Sequence, residues 1–162
     1  MKHILVLGAG KSSATLIEYL LKQAESLDWH IYVADVLLQN ALSKINGHPR
    51  GTAFTISSEN DVQTIKLIEQ SDLVISLLPP QLHFPTAQKC LAAGKHFLNA
   101  SYVSAEMQAL DEAVKAKGLT FLCEMGLDPG IDHMSAMEIM DGIREKGGKI
   151  HRFHSHCGGL IA

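Results

Sequence analysis

The 162-residue chain is poor in cysteine, carries no surplus of positive charge and lacks a long apolar run. Each shortage closes a class of function. The three cysteines, Cys90, Cys123 and Cys157, are far apart, odd in number and form no CxxC pair, so no disulfide framework can be drawn. That usage points to a cytoplasmic setting. Fourteen Lys and Arg stand against seventeen Asp and Glu, a net charge of −3 without a basic stripe, so duplex nucleic acid is not an expected partner. No apolar run reaches the ~18 residues a membrane helix needs, so no membrane partner is expected either. The segment Met1–Leu7 is too short for a secretory leader and is interrupted by Gly8-Ala9-Gly10, which leaves the sequon Asn99-Ala100-Ser101 without meaning. Repeats and low-complexity stretches are missing too. What the chain does have is 46% hydrophobic residues, enough for a core that buries roughly two-thirds of the unfolded surface.

Those hydrophobic residues alternate between short apolar runs and helical stripes. Strands are expected over residues 3–7, 30–35, 52–57, 72–78, 95–99 and 119–124. Helices are expected over 11–25, 36–45, 60–70 (Val62, Ile65 and Ile68 inward), 85–93 and 104–117. Six strands with five helical connections fit an α/β fold, a Rossmann-type doubly wound parallel sheet with right-handed crossovers. After it comes a turn-rich hinge, Gly126-Leu127-Asp128-Pro129-Gly130. A helix over 131–146, with Met134, Met137, Ile139 and Met140 on or near its apolar face, and an extended stretch over 149–157 follow. One helix and one strand cannot build a core. The expected division is therefore a dinucleotide-binding domain at 1–126 and, at 127–162, the start of an incomplete second, α+β domain for substrate and catalysis. The methionine face would favour association, so a homo-oligomer is an open expectation.

The first strand runs into Gly8-Ala9-Gly10-Lys11-Ser12-Ser13 and then a helix, the context of a dinucleotide fingerprint. Gly8 permits the tight turn, Gly10 lets backbone approach a diphosphate, and Ser13 is small enough for helix and strand to pack. The helix start, with Lys11 and Ser12, offers N–H groups and a positive dipole end to phosphate, and the Ser12 and Ser13 hydroxyls add donors. Asp35 ends the second strand, where it would accept from a ribose 2′-OH and repel a 2′-phosphate; NAD is expected over NADP on that residue alone. Leu77 and Leu78 lie at the carboxyl edge of the fourth strand and should line the cofactor, unless Pro79 merely ends the strand. Gly10-Lys11-Ser12 imitates a P-loop, but Leu5 stands where that motif needs glycine. His83 receives no role.

Four segments in this order, Asp72–Pro79 (DLVISLLP), Ala100–Val103 (ASYV), Gly126–His133 (GLDPGIDH) and Cys157–Leu160 (CGGL), resemble the glutamate-forming saccharopine dehydrogenases, also called saccharopine reductases. The likeness spans Gly8 to Leu160, and GLDPGIDH is its most specific part. It implies an oxidoreductase that interconverts saccharopine with glutamate and 2-aminoadipate 6-semialdehyde through a nicotinamide cofactor. It also implies that Ser101 and Tyr102, Asp128 and Cys157 face the amino-acid substrate, and that Leu127 sits by the nicotinamide.

The residues themselves leave room beside that implication. Tyr102 is either a ligand-edge phenol or a packed tyrosine, and Asp128 either holds a substrate ammonium or caps the helix from Ile131. Cys157 is given a binding role only, and neither His133 nor any other group is chosen as general base. His151, His154, His156 and Cys157 do not form an established zinc spacing, and no metal is expected. Arg144 and Arg152 are poorly placed for substrate carboxylates. Two other readings stay open: a regulatory NAD-binding sensor without turnover, which would not need the segment after Leu127, and a related imine or amino-acid reductase with another substrate.

Overall fold

A computed structural model describes residues 1–57 and 61–158. Six strands form one parallel sheet: β1 Lys2–Leu7, β2 Trp29–Asp35, β3 Gly51–Thr55, β4 Leu73–Ser76, β5 His96–Asn99 and β6 Phe121–Leu122. Their spatial order is β3-β2-β1-β4-β5-β6. The winding reverses at β1, where β2 and β4 pair on either side (Val6 opposite both Val33 and Ile75). In a doubly wound sheet ligands bind at that reversal, outside the carboxyl ends of the strands. The expected α/β architecture is thus the one observed.

Successive strand residues point to opposite faces, and the core divides accordingly. Ile4, Val6, Ile31, Val33 and Ile75 pack with α1 (Ala14–Ala24) and α2 (Leu38–Ile45). Leu5, Leu7, Val74 and Phe97 pack with α3 (Asp61–Glu69), α4 (His83–Ala93) and α5 (Ala105–Gln108). Burial pushes the Cys90 thiol on α4 up to about 12, leaving it inert.

Three local expectations differ from what is seen. In α3 the buried stripe is Thr64, Leu67 and Ile68, while Val62 is 58% and Ile65 37% exposed. The i, i+3, i+4 set facing the sheet starts two residues later than the apolar residues suggested. The helix over 104–117 is two pieces, α5 and α6 (Asp111–Ala116). Ser104 Oγ caps the first by accepting from the Met107 N–H, and the Leu110 N–H closes back tightly on the Met107 carbonyl at 3.1 Å. The last strand is cut to two residues, Phe121 and Leu122, the length over which it pairs with β5.

Beyond the sheet, α7 (Ile131–Glu145) buries no residue, and Met134, Met137 and Ile139 are exposed. Residues 151–158 adopt neither helix nor strand and are exposed. An extended segment becomes a strand only where a neighbour completes its ladder. The His154 and His156 rings do share a side, stacked 6.3 Å apart. Gly159 and Leu160 of the CGGL segment lie outside the described residues.

Candidate functional site

The glycine turn is built by steric demand at Gly8 and by open space at Gly10. Gly8 has φ +100°, and a Cβ there would stand 2.8 Å from the Leu77 carbonyl oxygen. A Cβ on Gly10 would meet nothing within 4 Å, so the space above that residue is open. Past it, one turn of 3-10 helix (Lys11–Ser13) leads into α1. First-turn amides have no partner within their helix, and Lys11 and Ser12 present theirs at an exposed surface. Ser13 differs from the expectation of a phosphate donor. It is buried, and its hydroxyl donates to the Gly10 carbonyl at 2.7 Å, so it braces the turn instead.

Asp35 departs further. It is only 8% exposed. Its Oδ2 accepts the Ala9 N–H at 2.7 Å, and its Oδ1 accepts the Leu37 N–H at 2.9 Å and the Asn40 side-chain amide at 3.0 Å. Burial works to raise its pKa, but the Leu37, Ala9 and Asn40 donors outweigh that and hold the carboxyl below its ordinary range. The premise for preferring NAD was a carboxylate that accepts from a ribose 2′-OH and repels a 2′-phosphate. The carboxylate is instead turned onto protein donors, which removes the open acceptor from that premise while leaving its negative charge in place.

Leu77 donates its N–H to the Leu7 carbonyl at 2.8 Å and so carries the β1–β4 ladder to the lip of the site. Leu78 lines a cleft of about 160 Å³ together with Val36, Ile56, Leu82, Pro85 and Thr86. This apolar slot beside the end of β2 suits a flat ring. None of its other residues stood out in the sequence, because it is assembled from loops after three strands together with α3 and α4. Ser76 and His83 were likewise unassigned. Both are buried, and Ser76 Oγ pairs with His83 Nδ1 at 2.9 Å, tying the end of β4 to the start of α4. Burial lowers the His83 pKa from 6.5.

At the ends of β5 and β6 the residues singled out on the substrate side come together. The Tyr102 hydroxyl donates to Asp128 Oδ1 at 2.8 Å. Asp128 also attracts the Cys157 thiol, and its carboxylate raises the pKa of both partners. Cys157 is therefore favoured as a thiol. Asp128 is not a helix cap. Gly130 opens α7, and Asp132 accepts from the Gly130 N–H at 2.9 Å and pairs with His133 at 2.8 Å. Asp128, Asp132 and His133 bring ligand atoms within 4.8 Å of one another, but each is already paired within the protein. Ser101 lies beside this corner, its N–H held by the buried Asn99 side chain at 3.0 Å. With His83, Asn99, Tyr102 and Glu106 it lines a cavity of about 220 Å³. Leu127 is 72% exposed on the same hinge.

Sheet order, glycine turn and reversal point together define a Rossmann-type dinucleotide-binding protein. Residues 4–122 match the family profile described as the saccharopine dehydrogenase NADP binding domain, and residues 126–162 that of the saccharopine dehydrogenase C-terminal domain. The chain belongs to the saccharopine dehydrogenase family. It is 36% identical over 162 residues to the NADP(+), L-glutamate-forming saccharopine dehydrogenase of Schizosaccharomyces pombe, covering 100% of this chain and 35% of that one. Over 136 residues it is 40% identical to the alpha-aminoadipic semialdehyde synthase of Arabidopsis thaliana, covering 84% of this chain and 13% of that one. The apo saccharopine dehydrogenase (L-Glu forming) of Saccharomyces cerevisiae superposes with a TM-score of 0.79 at 28% identity, over 91% of this chain and 32% of that one. A Synechocystis biliverdin reductase (TM-score 0.63, 18% identity, 93% of this chain and 44% of that one) shares the fold. The chain thus spans about a third or less of the curated relatives named here. The family is named for NADP, which runs against the NAD expectation. Among the described residues no helix is long and apolar enough to cross a membrane.

Proposed function

We propose that this chain supplies the cofactor site and one wall of the substrate site of an NADP-dependent saccharopine dehydrogenase. The reaction interconverts saccharopine with glutamate and 2-aminoadipate 6-semialdehyde. The observation that carries this reading is the corner where Tyr102 and Cys157 meet Asp128, on the same carboxyl edge of the sheet as the glycine turn. When bound, the nicotinamide supplies hydride acceptance in the oxidative direction. The chain's own residues do the placing. Gly10, Lys11 and Ser12 receive the diphosphate, the cleft at Val36, Ile56 and Leu78 takes the adenine ring, and Leu77 and Leu127 border the nicotinamide. Lys11, exposed on the turn, offers a cation to the 2′-phosphate.

Asp128 suits the secondary ammonium of saccharopine, with Tyr102 and Cys157 fixing its orientation and Ser101 donating to a substrate carboxylate. The division of labour falls at Gly126, and the exposed face of α7 meets further catalytic-domain sequence or a second copy. The unpaired cysteines fit a reducing compartment such as the cytoplasm.

Titrating the chain with NADPH and NADH tests the cofactor half: tighter NADPH binding is expected, and Lys11→Met should erase most of the difference. Grafting the chain in place of the matching segment of a full-length relative tests the rest. Saccharopine-dependent reduction of NADP+ is expected from the graft and should fall at least about tenfold in Asp128→Asn. A graft that binds NADPH yet never responds to saccharopine would sink the substrate assignment.

A further inference from the structure

Asp35 occupies the place from which an acid ordinarily grips the adenosine ribose, yet its bonds are inward. The Gly8 N–H donates to the Ala34 carbonyl at 2.8 Å, and the next amide, Ala9, donates to Asp35 Oδ2 at 2.7 Å. Consecutive amides of the turn thus bond to consecutive residues of β2. The carboxylate adds a side-chain rung to the β1–β2 ladder just past its last pair, Leu7 opposite Ala34. Gly10 is the first turn residue beyond that rung, and it borders the open space. The other carboxylate oxygen holds the Leu37 N–H and the Asn40 amide, which fixes the loop between β2 and α2.

We propose that Asp35 is a positioning residue: through the Ala9 N–H it sets the glycine turn in its diphosphate-receiving shape, and it does not select between ribose forms. The inference rests on the dinucleotide reading of the site and goes beyond it. The physical case is an exchange that does not balance. Swinging the carboxylate out to a ribose diol would strand the N–H of Ala9, a residue 2% exposed, and would free the loop at Leu37. Buried donors left without acceptors cost the full desolvation of each group. The gain would be hydroxyl contacts that water already supplies to the ribose.

The test is Asp35→Asn in the chain itself, with NADPH and NADH dissociation constants read by fluorescence and folding checked by circular dichroism. Both affinities should fall together, by about tenfold, with their ratio unchanged within about a factor of two. Asn40→Ala, which leaves the Ala9 bond in place, should weaken both by less. A purely architectural Asp35 would lower the melting temperature without moving either constant in the folded variant. That result overturns the proposal, and so does a loss confined to NADH.

Should Asp35→Asn fail to fold, the wild-type Ala9 amide decides. Its strongly hydrogen-bonded proton shift should persist when either cofactor saturates the chain. Collapse of that shift on adding NADH would mean that the carboxylate leaves for the ribose. If the wild-type chain binds neither cofactor, the dinucleotide reading itself fails, a result distinct from every outcome above.

Discussion

The sheet unit and the segment after it obey the same chemistry and end in opposite conditions. Every helix from α1 to α6 buries side chains, from the four of α1 to the single Met107 and Val114 of α5 and α6. The longest helix, α7 at 15 residues, buries none, although Met134, Met137 and Ile139 punctuate it. A helical apolar pattern is a demand for a partner and does not provide one. In the sheet unit each demand is met by a strand whose face is already fixed by its ladder. The tail presents the same residue types to solvent and spends its polar ones on the Tyr102–Asp128 corner.

Paired substitutions sharpen that contrast. Phe97→Ala empties a fully buried ring site 5.5 Å from the Phe121 ring and should cost about 3–5 kcal/mol in urea unfolding. Ile139→Ala in α7 should stay within about 0.5 kcal/mol. A cost above about 1 kcal/mol there would show that α7 packs on something and would break the comparison.

Glycines divide the same way. Gly8→Ala forces a left-handed φ and a carbonyl clash inside the sheet unit, so a loss of about 1–3 kcal/mol together with NADPH binding is expected. Gly130 has φ +149°, and a Cβ there would collide with the Gly126 carbonyl. Gly130→Ala should therefore open the 126–130 turn to proteolysis while the sheet's melting temperature holds.

The buried His83 adds a smaller, pH-dependent effect. Burial lowers its pKa, so the unfolded chain binds the proton more readily. The stability this residue contributes is complete above the ordinary value of 6.5 and is lost as pH falls through its folded value. Unfolding titrations between about pH 7.5 and pH 5.5 should show that slope, and His83→Gln should flatten it. Smallest of all, Tyr102→Phe should leave the melting temperature unchanged, since the phenol is 62% exposed; a marked drop would give the corner a structural role.

Much of the fold was legible because its signals are local. Six apolar runs of strand length, alternating with helical stripes and punctuated by Gly and Pro, sufficed to order the elements. Errors fell where local signals compete. Val62 and Ile65 looked inward because they are apolar, but the sheet receives the stripe that includes Thr64. The site was legible in composition and not in orientation. Gly8, Gly10 and the run at Leu77 lie at the carboxyl edge of the sheet, as the pattern placed them, whereas the bonds of Ser13 to the Gly10 carbonyl and of Asp35 to the Ala9 N–H were not foreseen. Asn40, Ser76 and His83 left no trace, since a polar residue in a helix or at a strand end looks the same whether it braces a turn or faces water.

By itself the sequence determined the alternation, the strand-to-glycine-turn junction and the family, since periodicity and a run such as GLDPGIDH are properties of neighbouring residues. Only the tertiary structure decided what Asp35 holds and that Tyr102 meets Asp128. Both bonds join residues 26 positions apart. A carboxylate's partner is whichever donor the folded chain brings within about 3 Å, and that distance is written in no local pattern.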